Sequence, residues 1–219
     1  AAQKCMDEKS TLKLLFGLGV INVMTPEPEQ LLMAIPIGVG GGVVGGLFNK
    51  GLLQATRQVA PWVQRYPIRT GVSLGAGLSL LALLSWGTST GDGEALLQQL
   101  ITEGMPNAVA EGGSVSAGLT SLWITAARVI GPMLALAPGV PGGLIDPSLT
   151  FGGLLGYSIC AVLGASQHLG VALGLASGLA GATQLPLVAI VFAWRLTGDQ
   201  QLFAGVVLAA VVAAYTGRL

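Results

Sequence analysis

The sequence predicts an all-α, polytopic membrane protein built from tilted and broken helices, and three observations lead there. Apolar residues make up 52% of the 219-residue chain and charged residues only 9%, against roughly 25% charged in a typical soluble domain. The mean hydropathy is +0.74. The charges are also unevenly placed: residues 147–194 contain no Asp, Glu, Lys or Arg, and residues 70–91, 112–127 and 200–217 are likewise free of formal charge. So few charges cannot cover the surface of a water-soluble globule of this size, whereas a helix crosses the hydrocarbon with about 20 apolar residues. A lipid bilayer is therefore the expected surrounding. The formal net charge is zero, so no basic face is available to neutralise phosphates and a nucleic-acid partner is excluded. Cys5 and Cys160 lie far apart with no CxxC spacing, which supports neither a disulfide framework nor a metal site.

The elements follow in chain order. Residues 1–30 form a polar start, a short apolar stretch and the acidic turn TPEPEQ; residues 31–219 form the membrane domain. Residue 1 is Ala and the chain stops straight after an apolar segment, which reads as a fragment of a longer protein. Residues 31–53 are apolar and dense in glycine, as in LLMAIPIGVGGGVVGGLFNKGLL, and small residues at that density let helix backbones approach closely in lipid. Residues 50–69 carry Lys50, Arg57, Arg65 and Arg69 and no acid, whereas residues 88–113 carry Asp92, Glu94, Glu103 and Glu111 and no base. Basic loops stay on the cytoplasmic side, so residues 50–69 are expected inside and residues 88–113 outside, with a helix over residues 70–86 between them. Further helices are expected over residues 116–136, 148–163, 169–182, 187–196 and 202–215.

Two interruptions stand out. Residues 137–147 read APGVPGGLIDP, with three prolines and three glycines that cannot continue a helix. Irregular backbone at membrane depth is tolerated only inside protein or beside a water-filled cavity. Residues 183–186, TQLP, make a second break, where Pro186 suits the first turn of the next helix. A helix that starts inside the membrane aims free N–H groups and the positive end of its dipole at what lies in front of it. That is an anion site without a side-chain charge; the competing reading is an ordinary interhelical turn. GVGGGVVGG lacks the strand context and the GK[ST] ending of a phosphate loop, so nucleotide binding is rejected.

PGVPGGLIDPSLTFGGLLG resembles the GxFxP segment of the CLC family of voltage-gated chloride channels and chloride/proton antiporters. GGLFNKGLL, AARVIGPMLALAPGVPGG and GLASGLAGATQLPLVAIVFAWRLTGDQQL are similar, in the same order, to further segments of that family. The resemblance covers residues 36–217 and implies the second inverted repeat of a subunit, its N-terminal half missing. It further implies a homodimer in the plasma membrane of a prokaryote, with chloride as the transported ion, no cofactor and no enzymatic activity. By position, the backbone N–H groups of Leu144 and Ile145 would face the central anion and that of Asp146 an outer one, with Gly142, Gly143 and Pro147 supporting the loop. Ile145 replaces the usual aromatic residue, Asp146 stands where a small or apolar residue is usual, and Arg195 stands where glutamate is frequent.

Asp146 before Pro147 also reads as an N-cap followed by proline at the first helical position; the alternative is a carboxylate that competes with the anion. Arg128 is expected to be a structural base, Arg195 to snorkel to an aqueous edge, His168 to lie in a surface linker, and Trp62, Trp86, Trp123 and Trp194 to anchor or pack. Passive chloride conduction, chloride/proton antiport and a non-transporting relative all remain compatible with these residues.

Overall fold

The computed structural model describes residues 32–85, 87, 93, 96–98, 100, 114–140, 142–197 and 202–218, with backbone alone for residues 114–121. The polar start and acidic turn of residues 1–30, Trp86, Pro141 and most of the acidic segment 88–113 lie outside the described residues. The described elements are seven α-helices: α1 (Ala34–Arg65), α2 (Pro67–Leu84), α3 (Ser114–Leu136), α4 (Ile145–Leu163), α5 (Gln167–Thr183), α6 (Pro186–Thr197) and α7 (Phe203–Thr216). Both interruptions are present: residues 137–144 separate α3 from α4, and Gln184 and Leu185 separate α5 from α6.

The largest departure from the sequence reading is α1. The basic segment 50–69 was expected as a loop, but α1 runs through it to Arg65, and a single residue, Tyr66, joins it to α2. Gln54, Ala55, Arg57, Gln58 and Ala60 lie in this stretch and are compatible with helix; Pro61 is carried inside it. Pro67 then stops α1, because the residue before a proline is pushed out of the helical region. Tyr66 accordingly has φ −140° and ψ 68°, and its N–H still donates to the Trp62 carbonyl at 2.8 Å. The Thr70 hydroxyl donates to the Tyr66 carbonyl at 2.9 Å and lies 3.2 Å from that of Trp62, fastening the joint.

Glycine decides how the other helices meet. Gly152 and Gly156 on α4 lie against Gly170, Gly174 and Gly178 on α5; a Cβ on Gly152 would come within 2.8 Å of the Gly178 Cα, and one on Gly156 within 2.9 Å of the Gly174 Cα. The order of the pairs makes α4 and α5 antiparallel. On α1, Gly41 and Gly45 face Ser177 and the Gly181–Ala182 backbone of α5, while Gly38, Gly42 and Gly46 face Ala209, Ala213 and Gly217 at α7. Two glycine rows on one helix thus bring α1 parallel to both α5 and α7. In lipid, where side-chain burial gains little, such backbone approach is a main source of association.

α5 sits at the centre, with every residue from Leu169 to Ala182 buried. At its start His168 is exposed in the first helical turn rather than in a linker. α4 ends at Gly164, which adopts the left-handed conformation at φ 72° and lets the Ala165 N–H reach the Cys160 carbonyl at 3.0 Å, a glycine-terminated helix end. Cys160 is a free, buried thiol. At the other extreme, α2 has no buried residue; it and α4 are the described helices long and apolar enough to cross a membrane.

Candidate functional site: the start of α4

The contacts above bring four chain segments to one end of α5. Because α4 is antiparallel to α5, its N-terminus lies beside the C-terminal part of α5. α6 departs from there, α7 ends there at Gly217, and α1 passes at Gly45 and Phe48. Both helix breaks are therefore neighbours, which their separation in sequence does not reveal.

The loop leaves α3 through Gly139, held at φ 82°, where the N–H donates to the Leu136 carbonyl at 2.9 Å. Glycine adopts that conformation without the Cβ penalty. Gly142 and Gly143 are exposed, Leu144 is half-buried, Ile145 is 39% exposed and Asp146 is exposed, with Pro147 half-buried behind them. Leu144 is the N-cap residue at φ −93° and ψ −14°, and no side chain caps the helix. The first rung of the helix runs from the Ser148 N–H to the Leu144 carbonyl at 3.2 Å. The N–H groups of Ile145 and Asp146 therefore precede the ladder and have no intrahelical acceptor. They sit at the positive end of a 19-residue helix.

This geometry corrects the expected cap. Asp146 is not the N-cap and Pro147 is not the first helical residue: the helix starts two residues earlier, leaving Asp146 within the first turn. Leu144 packs against the cluster formed by Phe48, Phe151 and Ala182, and this apolar anchor accompanies the earlier start. An acid in the first turn still complements the dipole, but it does not satisfy the amides as a cap would.

Sequence reading missed the supporting groups. The Thr150 hydroxyl donates to the Asp146 carbonyl at 2.8 Å and the Ser148 hydroxyl to the Ile145 carbonyl at 2.7 Å. The i, i+4 spacing of Asp146 and Thr150 is visible in sequence. The Phe48–Phe151 pair, from helices about a hundred residues apart, is not. At the second break Gln184 takes φ 60° and ψ 25°, and its side-chain amide donates to the Gly181 carbonyl at 3.0 Å. Pro186 opens α6 as expected.

Arg128 is buried on α3 at 4% exposure, in keeping with a structural base. Arg195 is exposed in the last turn of α6. Trp62 is 63% exposed; the Trp123 indole N–H lies 3.3 Å from the Leu84 carbonyl; Trp194 meets Phe203 edge-on, with ring centroids 5.9 Å apart.

The sequence profile described as "Voltage gated chloride channel" matches residues 5–218, nearly the whole chain. This chain belongs to the voltage-gated chloride channel (CLC) family. It is 30% identical over 187 residues to the H(+)/Cl(-) exchange transporter ClcA of Yersinia pestis bv. Antiqua (strain Angola), and 29% identical over 184 residues to that of Klebsiella pneumoniae (strain 342). In each case the match takes in 80% of this chain and 36% of the relative, so the chain spans about a third of the length of these curated relatives. Among solved structures, a CLC-type fluoride/proton antiporter superposes with a TM-score of 0.71 over 90% of this chain and 46% of its own, at 24% identity. A slow cyanobacterial Cl-/H+ antiporter gives 0.65 over 88% and 47%, at 20% identity. The all-helical membrane fold is that of the CLC proteins.

Proposed function

We propose that this CLC chain forms part of an anion pathway, binding chloride through the backbone N–H groups of Leu144, Ile145 and Asp146, with Gly142, Gly143 and Pro147 shaping the loop. The observation that carries the reading is the start of α4: a 19-residue helix that begins at a glycine break, without a side-chain cap, with its leading residues exposed. Backbone amides supply partial positive charge without a fixed counterion, so an anion can be held and still leave. The remaining walls of the pathway come from the portion of the subunit that the longer relatives possess and these residues do not include. Passive conduction and proton-coupled exchange both fit this reading; the curated relatives it matches are named as H(+)/Cl(-) exchange transporters. The subunit acts as a transporter rather than an enzyme, pairs with a second copy, and resides in a bacterial plasma membrane with residues 50–69 on the cytoplasmic side.

The test is chloride flux in liposomes by the full-length protein, joined to a crystal structure grown in bromide. Flux together with an anomalous peak within hydrogen-bonding distance of the Ile145 and Asp146 nitrogens is the expected result. Flux without such a peak would move the binding site elsewhere, and no flux from folded protein would reject transport.

A further inference from the structure

A second site stands on the elbow between α1 and α2, away from the α4 start. Arg65 ends α1, Arg69 lies in the first turn of α2, and the Tyr66 ring lies between them in sequence, with both guanidinium carbons 5.6 Å from its centroid. Two like charges are therefore drawn to one ring. Neither arginine has a carboxylate partner among the described residues, where the only acid is Asp146. Trp62, one turn earlier, is 63% exposed, and Tyr66 is 40% exposed. The joint is stiff, because the Thr70 hydroxyl reaches carbonyls of both Trp62 and Tyr66. α2 is an 18-residue apolar helix with no buried residue; at 1.5 Å per residue it is about 27 Å long, close to the roughly 30 Å of the hydrocarbon core. Crossing that core with α2 would put its first turn where the lipid headgroups lie, the layer in which Trp and Tyr collect.

We propose that this elbow binds the phosphate of an anionic lipid, held between the Arg65 and Arg69 guanidinium groups with Trp62 and Tyr66 against the glycerol and upper acyl region. Guanidinium groups match phosphate oxygens with paired N–H donors, and the phosphate cancels the repulsion between the two arginines that the ring alone leaves in place. The site depends on membership of a membrane family and not on the anion-pathway reading.

The test is native mass spectrometry of the full-length protein in detergent, titrated separately with phosphatidylglycerol and phosphatidylcholine. R65Q/R69Q is expected to weaken phosphatidylglycerol retention roughly 30-fold, about five-fold per arginine, and to leave phosphatidylcholine retention unchanged. R65K/R69K keeps the charge without the planar fork and should fall between that variant and the wild type, which covers the case in which the glutamine variant fails to fold. Equal phosphatidylglycerol retention by the wild type and either folded variant would overturn the clamp. Equal loss of both lipids would reduce it to non-specific adhesion, and displacement of the lipid by millimolar inorganic phosphate would assign the site to a free anion instead.

Discussion

The rings of Phe48 and Phe151 meet with centroids 5.4 Å apart and planes inclined by 53°, tying the middle of α1 to the second turn of α4. Leu144, the residue from which α4 starts, packs on the same cluster. The first turns of α4 are thus braced against α1 by an aromatic contact. Both rings are fully enclosed, with Phe151 at 0% and Phe48 at 1% exposure.

Truncating this anchor is expected to be severe. Phe151→Ala should lower stability by about 3–5 kcal/mol, the range for emptying a buried aromatic position, and should weaken anion binding in whatever fraction remains folded. Phe151→Leu should lose far less of both. Thermal unfolding in detergent, followed by calorimetric anion titration, measures the two effects; an unchanged melting temperature for Phe151→Ala would contradict the packing.

Glycines should divide into two classes. A side chain at Gly152 meets the α5 backbone, whereas Gly71, Gly75 and Gly77 on α2 have none of the described residues within 4 Å of an added Cβ. Gly152→Val should cost at least the roughly 1–3 kcal/mol of an overpacked core. Gly71→Ala should be neutral or gain up to about 1 kcal/mol from helix propensity. Yields of monodisperse protein and melting temperatures of the two variants are the readout, and equal behaviour would contradict the assignment.

Asp146→Asn separates charge from shape at the proposed site. Because Asp146 is exposed, water screens it strongly: two unit charges 4 Å apart interact by only about 1 kcal/mol in bulk water, or roughly five-fold in affinity. Chloride affinity is expected to rise by about that factor in the asparagine variant. Stability should change little, since the side chain does not cap the helix. A weaker affinity would mean that the carboxylate helps to organise the loop instead.

The second break offers a conformational test. Gln184 holds a left-handed backbone that β-branched residues avoid, so Gln184→Val should be destabilised by about 1–3 kcal/mol. Gln184→Gly should be close to neutral, since relief of backbone strain offsets loss of the bond to the Gly181 carbonyl. Comparing the two by thermal unfolding checks the φ assignment directly.

The proposed pairing with a second copy can be tested on α7. Leu208, Val211 and Tyr215 are exposed at 41%, 52% and 79%, and their spacing of three and four places them on one helix face. Cysteines at these positions in the full-length protein should cross-link between subunits. Failure at all three, with monomeric behaviour in lipid, would remove this face from the interface.

Most of the architecture was legible because the signals were local. The charge-free runs marked the apolar helices, the Gly-Pro cluster of residues 137–147 marked the first break, and Pro186 marked the second break and the start of α6. Two features escaped for physical reasons. Lys50, Arg57 and Arg65 read as a cytoplasmic loop, yet charge does not end a helix, and Pro67 did so instead. Asp146-Pro147 reads locally as a cap, but the helix starts earlier, where Leu144 packs on the cluster that Phe48 and Phe151 belong to. That meeting of α1 and α4 depends on tertiary contacts that spacing along the chain does not encode.

The enclosure of α5 bears on how the protein is made. A helix whose residues are largely enclosed by other helices, as Leu169–Ala182 are here, gains little by leaving the translocation machinery alone. α5 is 17 residues, about 26 Å at 1.5 Å per residue, rich in Gly and Ala, and its glycine rows find their partners on α1 and α4, both synthesised before it, while α7 follows. Insertion of α5 is therefore expected to follow that of α1 and α4, whose glycines it meets, and a nascent chain paused after Thr183 would hold this helix with α7 still to come.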